Sequence, residues 1–197
     1  MSDLLVATSN PGKLSEFRRL LAHLPARVIG PAEANLALEV PEPYPTYAQN
    51  AILKAEAFCR ASGLVTLADD SGIEVAALGW GPGARSNRFG GAGVTDRARY
   101  MLEQVRGAAD RRARMVCQLA VAIPGGEKPS IEVFGGVVEG TLAVAPRGTG
   151  GFGYDPIFVR PDGRTNAEVT DAEKDATSHR GLAVAAALPR LRQLVER

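Results

Sequence analysis

LVTLADDSG, residues 64–72, is an apolar and partly β-branched run that ends on two adjacent carboxylates. The run has the composition of a buried strand. Like charges side by side repel, and neither carboxylate leaves water willingly. Asp69 and Asp70 therefore read as standing at the carboxyl end of that strand, where parallel-sheet enzymes place their ligands. Carboxylates at such a position serve as Mg²⁺ ligands or as bases that activate water. The structural alternative is a turn in which one aspartate caps the following Ser71-Gly72.

Working outward, residues 4–7 form a short apolar strand, and TSNPGKLSEFRRLLAHL (residues 8–24) is helical in pattern. Leu14, Phe17, Leu20, Leu21 and Leu24 recur at helical spacing, Ser9 or Asn10 can cap, and Pro11 suits the first turn. ARVIG (residues 26–30) reads as a second strand. Residues 31–45 hold four prolines and read as loop. Thr46-x-x-Gln49 is a capping box for a helix whose apolar face is Ala48, Ala51, Ile52, Ala55, Phe58 and Cys59, and Gly63 is its stop. Beyond the aspartates, residues 73–78 read as a further strand and residues 79–93 as a long Gly-rich loop. Thr95 is the expected cap of the next helix. Residues 113–123 alternate as a strand with one buried face, paired with an antiparallel strand over 131–138. A second Gly-rich loop precedes a strand IFV (residues 157–159). Thr170-x-x-Glu173 is another capping box, and a last helix from about His179 to Glu196 is expected to kink or divide at Pro189. Alternating β and α followed by a strand meander implies an α/β fold with a mixed sheet.

Composition sets limits. The chain has 197 residues, 45% hydrophobic and 23% charged, which suits one domain, with room for two lobes. A formal net charge of +1 gives no bulk pull toward nucleic acid or membrane, so any anion must be met by local cations. Met1-Ser2-Asp3 carries no basic leader and no apolar run approaches a membrane span, so the expectation is cytoplasmic. Cys59 and Cys117 read as small core residues in a reduced protein.

Three further segments carry candidate chemistry. TSNPGK (Thr8, Ser9, Asn10, Pro11, Gly12, Lys13) lies at a strand-to-helix junction, where free N–H groups and the helix dipole suit phosphate. A cation in a first helical turn gains nothing from the dipole, so Lys13 points to an anionic ligand; a plain capped helix with a solvated lysine is the alternative. GTGGFGYDP (residues 148–156) lets backbone approach a flat ligand, with Phe152 and Tyr154 either stacking on a base or filling core. KDATSHRG (residues 174–181) brings Lys174, His179 and Arg180 near a helix start capped by Ser178, as an anion site or a surface charge run.

Taken together, TSNPGK, NAILKA, LADDSG, PGARSNRFGG, GTGGFGYDPIF and SHRG stand in the order and spacing of the inosine triphosphate pyrophosphatase family, which the chain resembles over nearly its whole length. The resemblance implies an elongated mixed sheet flanked by helices, in two lobes with a central cleft. It also implies a homodimer, and Mg²⁺-dependent hydrolysis of ITP, dITP and XTP to the monophosphate and pyrophosphate. Residues 8–13 then correspond to the triphosphate turn, Asp70 to the proton acceptor and metal ligand, and Ser71 to a substrate contact. Phe152, Gly153, Tyr154 and Asp155 match the base loop, and Lys174, His179 and Arg180 the remaining substrate contacts. The acidic-Thr-Gly-x-Thr-Phe run of the family is here Glu42-Pro43-Tyr44-Pro45-Thr46-Tyr47, so ungapped alignment makes Glu42 the second metal ligand, with Glu39 the alternative. Neighbours on a strand face opposite ways, which turns Asp70 to the cleft and Asp69 toward backbone donors or an adjacent helix. The competing enzyme reading is a Maf-type pyrophosphatase for pyrimidine or modified nucleotides.

Overall fold

Strand β1 (Ser2–Val6) lies parallel to β2 (Ala26–Ile29) on one side and to β3 (Val65–Val75) on the other. The computed structural model describes residues 2–93 and 95–196. Helices make both crossovers: α1 (Pro11–Leu20) joins β1 to β2, and α2 (Tyr47–Ser62) joins β2 to β3. Local chemistry sets both starts. Asn10 Oδ1 accepts from the N–H groups of Gly12 (2.9 Å) and Lys13 (3.2 Å), with Pro11 at the first helical position. Thr46 caps α2, and Gly63 ends it in the left-handed conformation at φ 68°.

From β3 onward the sheet is antiparallel. Strand β4 (Gly81–Pro82) touches the far end of β3. Strands β5 (Arg112–Ile123), β6 (Ser130–Leu142) and β7 (Phe158–Val159) complete a seven-stranded mixed sheet in the order β2-β1-β3-β5-β6-β7. Helix α3 (Arg97–Gln104) precedes β5, and α4 (Asp171–Thr177) and α5 (His179–Val195) close the chain. Leu4, Val6, Leu67, Cys117, Leu119 and Val121 pack under α1 and α5, whereas Leu5, Ala68, Ala120 and Ala122 pack under α2. The expected α/β class with a helix-flanked mixed sheet is thus the observed one. Both cysteines are free and buried, and they lie in clusters on opposite faces of the sheet. Among the described residues no helix is long and apolar enough to cross a membrane.

Six expectations need correction. Asp69 and Asp70 do not end a strand: β3 continues through them to Val75, absorbing the first residues of the separate strand expected over 73–78. Strand β1 pairs β3 only along Val65–Leu67, but β5 pairs it without interruption from Thr66 to Val75 and keeps it extended. Strand β5 itself is central and covered on both faces, so Val116, Ala120 and Ala122 are buried alongside the alternating set. The loop over 79–93 contains β4 and a 3₁₀ turn, Gly83–Arg88. Asp96, one residue beyond Thr95, caps α3 by accepting from the Arg99 N–H at 3.0 Å. On α2 the buried face includes Tyr47 and Asn50, while Ala48 and Ile52 are only half-buried. Helix α5 also runs from His179 to Val195 without division at Pro189.

Candidate active site

Once β1 has ended, the edge of β3 that it served lies open from Ala68 to Ile73, and this opening makes the floor of a cleft. The cleft measures about 1530 Å³, beyond the roughly 300–1,000 Å³ of an ordinary ligand pocket. Its exposed backbone groups find side-chain partners, as buried backbone must. Lys54 Nζ donates to the Asp69 carbonyl (2.8 Å), and Asp70 Oδ1 accepts from the Ser71 N–H (2.9 Å). Ser86 Oγ accepts from the Ile73 N–H (2.9 Å) and donates to the Ile73 carbonyl (3.2 Å).

The two aspartates sit on opposite faces of this strand. Asp69 turns toward α1 and α5, where its carboxylate meets Lys13 Nζ at 3.0 Å and Arg180 Nη2 at 3.0 Å. Burial by itself would raise the Asp69 carboxyl, but Lys13, Arg180 and the more distant Lys54 hold it well below the usual carboxylate range. Arg180 is tied further to Ser71 Oγ (2.9 Å) and to Glu16, and Lys174 bridges Glu16 (2.6 Å) and Asp155 (2.6 Å). Lys13–Asp69–Arg180–Glu16–Lys174–Asp155 is therefore one buried chain of alternating charge. Such a chain is costly to desolvate and fails if any member is removed. Cys117 Sγ lies 4.0 Å from Asp69, and burial pushes its thiol up to about 12, so it packs as an apolar side chain.

Asp70 turns toward α2. Asn50 Nδ2 donates to it at 2.9 Å, and the same amide pairs with the backbone of Tyr44 through both its N–H and its C=O at 3.0 Å. Among the described residues no cation lies within ion-pair distance of Asp70. Burial is the largest influence on it and raises its pKa above the ordinary carboxylate value. The Asn50 hydrogen bond opposes that rise, and the charge of Glu42 adds to it. Glu42 also borders the cleft, paired with Lys54, while its backbone carbonyl accepts from Arg88 Nη2 at 2.6 Å.

Apart from Asp69, the residues put forward for the site border this cleft: Thr8 through Lys13, Glu42, Asp70, Ser71, Phe152 through Asp155, Lys174, His179 and Arg180, with the alternative Glu39 as well. Their arrangement changes some of the expectations. Lys13 does point to an anion, but that anion is Asp69; its side chain stays 17% exposed and so still reaches the cleft. The two aromatics part company. Tyr154 packs into the core and donates its hydroxyl to the Ser86 carbonyl at 2.7 Å. Phe152 remains in the cleft, its ring centroid 4.9 Å from the Lys174 ammonium. Its edge rests on the phosphate-type turn, where a Cβ on Gly12 would fall 2.7 Å from the ring, so a side chain there would force the ring to shift. Asp155 holds the loop in shape by accepting from the Phe152 N–H (2.7 Å) and from Asn166 (3.2 Å).

His179 is buried, its Nδ1 has no partner among the described residues, and desolvation together with Arg180 pushes its pKa well below the usual value, so the ring is neutral. Its helix can approach so closely because Gly136 of β6 lies beneath it, where a Cβ would stand 2.1 Å from the His179 carbonyl. Glu16, Asn50 and Lys54 were not singled out beforehand. Glu16 follows Lys13 by three positions, and Lys54 follows Asn50 by four, so the members of each pair share a helix face. That spacing was the available signal.

Among the described residues no group of three or more metal-binding side chains occurs. Mg²⁺ needs no such group, because it is commonly held by one or two carboxylates together with substrate phosphates. Asp70 and Glu42, both at the cleft and coupled by charge, form a set of that kind.

Comparison with known proteins gives the family. The chain matches the model of the Ham1 family over residues 4–190. It is 48% identical to the dITP/XTP pyrophosphatase of Symbiobacterium thermophilum over 98% of this chain and 96% of that protein. It is 46% identical to the dITP/XTP pyrophosphatase of Thermus thermophilus over 94% of this chain and 89% of that one. The solved structure of a HAM1 protein from Coxiella burnetii resembles it with a TM-score of 0.84 at 37% identity, covering 100% of this chain and 99% of that chain. By sequence and by fold, the chain belongs to the Ham1 family.

Proposed function

We propose that this chain is a divalent-cation-dependent nucleoside triphosphate pyrophosphatase that converts ITP, dITP and XTP to the monophosphate and pyrophosphate. The observation that carries the reading is Asp70. It is a buried carboxylate without an ion-pair partner among the described residues, and it opens on the same cleft as a phosphate-type helix start. A carboxylate held above its ordinary pKa is a stronger base.

In this reading Asp70 accepts a proton from the water that attacks the α-phosphorus. The new bond forms between the water oxygen and Pα, the bond from Pα to the bridging oxygen of the β-phosphate breaks, and pyrophosphate leaves with the electron pair. Lys13, whose partly exposed ammonium reaches the cleft, meets the charge that grows on the leaving group. Asp70 and Glu42 would hold Mg²⁺, which when bound supplies Lewis-acid neutralisation of phosphate charge.

The base would lie against Phe152. Lys174 and Arg180 offer only hydrogen-bond donors, and Lys174 uses two of its three N–H groups on Glu16 and Asp155. A 6-oxo purine presents an acceptor to such donors, whereas the 6-amino group of adenine presents another donor and leaves buried polar groups unpaired. The same reading carries the expectation of a single two-lobed cytoplasmic unit that pairs as a homodimer, which sedimentation at micromolar concentration would test.

The decisive experiment is pyrophosphate release from eight nucleoside triphosphates with and without Mg²⁺. Preference for ITP, dITP and XTP with metal dependence is expected. Preference for ATP, or turnover unaffected by metal removal, would overturn the reading, and preference for UTP or TTP would favour the Maf-type alternative.

A further inference from the structure

The proposed chemistry leaves Lys54, Arg88 and Arg97 of the cleft unused, and of these Lys54 pairs with the side chain of a proposed metal ligand. Lys54, on the α2 face that carries Asn50, places its ammonium between two groups: the Glu42 carboxylate and, at 2.8 Å, the carbonyl of the Asp69–Asp70 peptide. Its side chain is 13% exposed and that of Glu42 25%, so the pair is partly screened from water.

The charges sort into two groups. Asp69 is neutralised on the other face by Lys13 and Arg180. On the cleft side stand Asp70 and Glu42 with Lys54, two negative charges and one positive. A divalent ion held by Asp70 and Glu42 would meet the full attraction of both carboxylates only if Lys54 gave Glu42 up. The Glu42 main chain is tied separately, by Arg88 on its carbonyl. The side chain can therefore exchange partners while the loop stays in place.

We propose that Lys54 is the chain's own counter-ion on Glu42, and that an entering divalent ion displaces it. Lys54 is then a positioning residue that sets the affinity for metal. The ion binds weakly because it must break an ion pair. This inference rests on the reading of Asp70 and Glu42 as the metal's ligands.

The test uses Mn²⁺ as a paramagnetic substitute, titrated into substrate-free protein and followed by electron paramagnetic resonance. Lys54→Met is expected to bind Mn²⁺ about tenfold more tightly than the wild type, the weight of one partly buried charged hydrogen bond. Equal or weaker binding by Lys54→Met would overturn the proposal. Asp70→Asn and Glu42→Gln separate the two levels of inference. If both weaken Mn²⁺ binding and Lys54→Met does not tighten it, only the counter-ion role fails. If neither weakens it, the metal reading itself fails and the proposal goes with it.

A second measurement needs no variant. Acetylation of Lys54 by an N-hydroxysuccinimide ester, followed by mass spectrometry on the wild type, is expected to speed up with Mn²⁺ relative to the exposed Lys128. An unchanged or slower rate at Lys54 would contradict displacement.

Discussion

Asp69 and Asp70 are consecutive, equally charged and almost equally buried, at 1% and 4% exposure, yet their surroundings move them in opposite directions. Asp69 faces α1 and α5 and has two cations, whereas Asp70 faces α2 and has an amide and a backbone N–H. The contrast shows that burial alone does not set the state of a carboxylate. The charge of the partner does, and on a strand the partner is chosen by residue parity. One face becomes a charge lattice that holds two helices to the sheet, and the other keeps a basic group facing a cleft.

The comparison can be broken in four ways, beginning with the largest expected effect. Asp70→Asn should lower kcat by about 10³-fold or more while the fold persists, because it removes the proposed base but no ion pair. Steady-state pyrophosphate release together with a thermal melt reads both, and full activity would end the catalytic role of Asp70. Asp69→Asn should do the reverse in kind. It leaves partly exposed Lys13 without its anion and buried Arg180 with Glu16 alone, a loss of about 3 kcal/mol in urea unfolding. A variant as stable as the wild type would show that the lattice contributes little.

The third test uses pH. His179 is neutral in the folded chain, and its pKa there lies well below the ordinary value of 6.5 expected when unfolded. Below about pH 6.5 the unfolded chain takes up a proton that the folded chain refuses, so stability falls as pH falls. The loss is about 2 kcal/mol by pH 5. Asp69, also depressed in the folded state, adds its own loss only below its unfolded value of 3.8. Urea midpoints at pH 7 and pH 5 should therefore separate for the wild type and converge for His179→Gln.

The smallest effect belongs to the Asp70 face. The buried Tyr47 hydroxyl has no partner among the described residues, so Tyr47→Phe should be neutral or stabilising by up to about 1 kcal/mol. A clear loss of stability would reveal a hydrogen bond that the structure does not contain.

Legibility in the sequence followed the range of the interaction. The Asn10 cap with Pro11, the reciprocal Thr170–Glu173 box and the Gly63 stop depend on residues within a few positions, and all three were readable. So was the pairing of β5 with β6, since apolar residues at every second position and a short turn leave few registers open. The α3 cap was missed by one residue because Thr95 and Asp96 are both good caps, and only packing chooses between them. Glu16 and Lys54 passed unnoticed because the partners that give them meaning lie elsewhere in the chain, Arg180 for the first and the Asp69 carbonyl for the second.

The sequence by itself determined the class of the fold, the residues that border the cleft and the opposite facing of Asp69 and Asp70, because periodicity, capping and strand parity are properties of neighbouring residues. Only the tertiary structure decided that the aspartates lie inside a continuing strand, that Lys13 and Arg180 neutralise Asp69, and that Lys54 holds Glu42. Those facts turn on where β1 stops beside β3 and on which helix each face meets. Such long-range pairings are set by the packing of the whole sheet, and no local pattern encodes them.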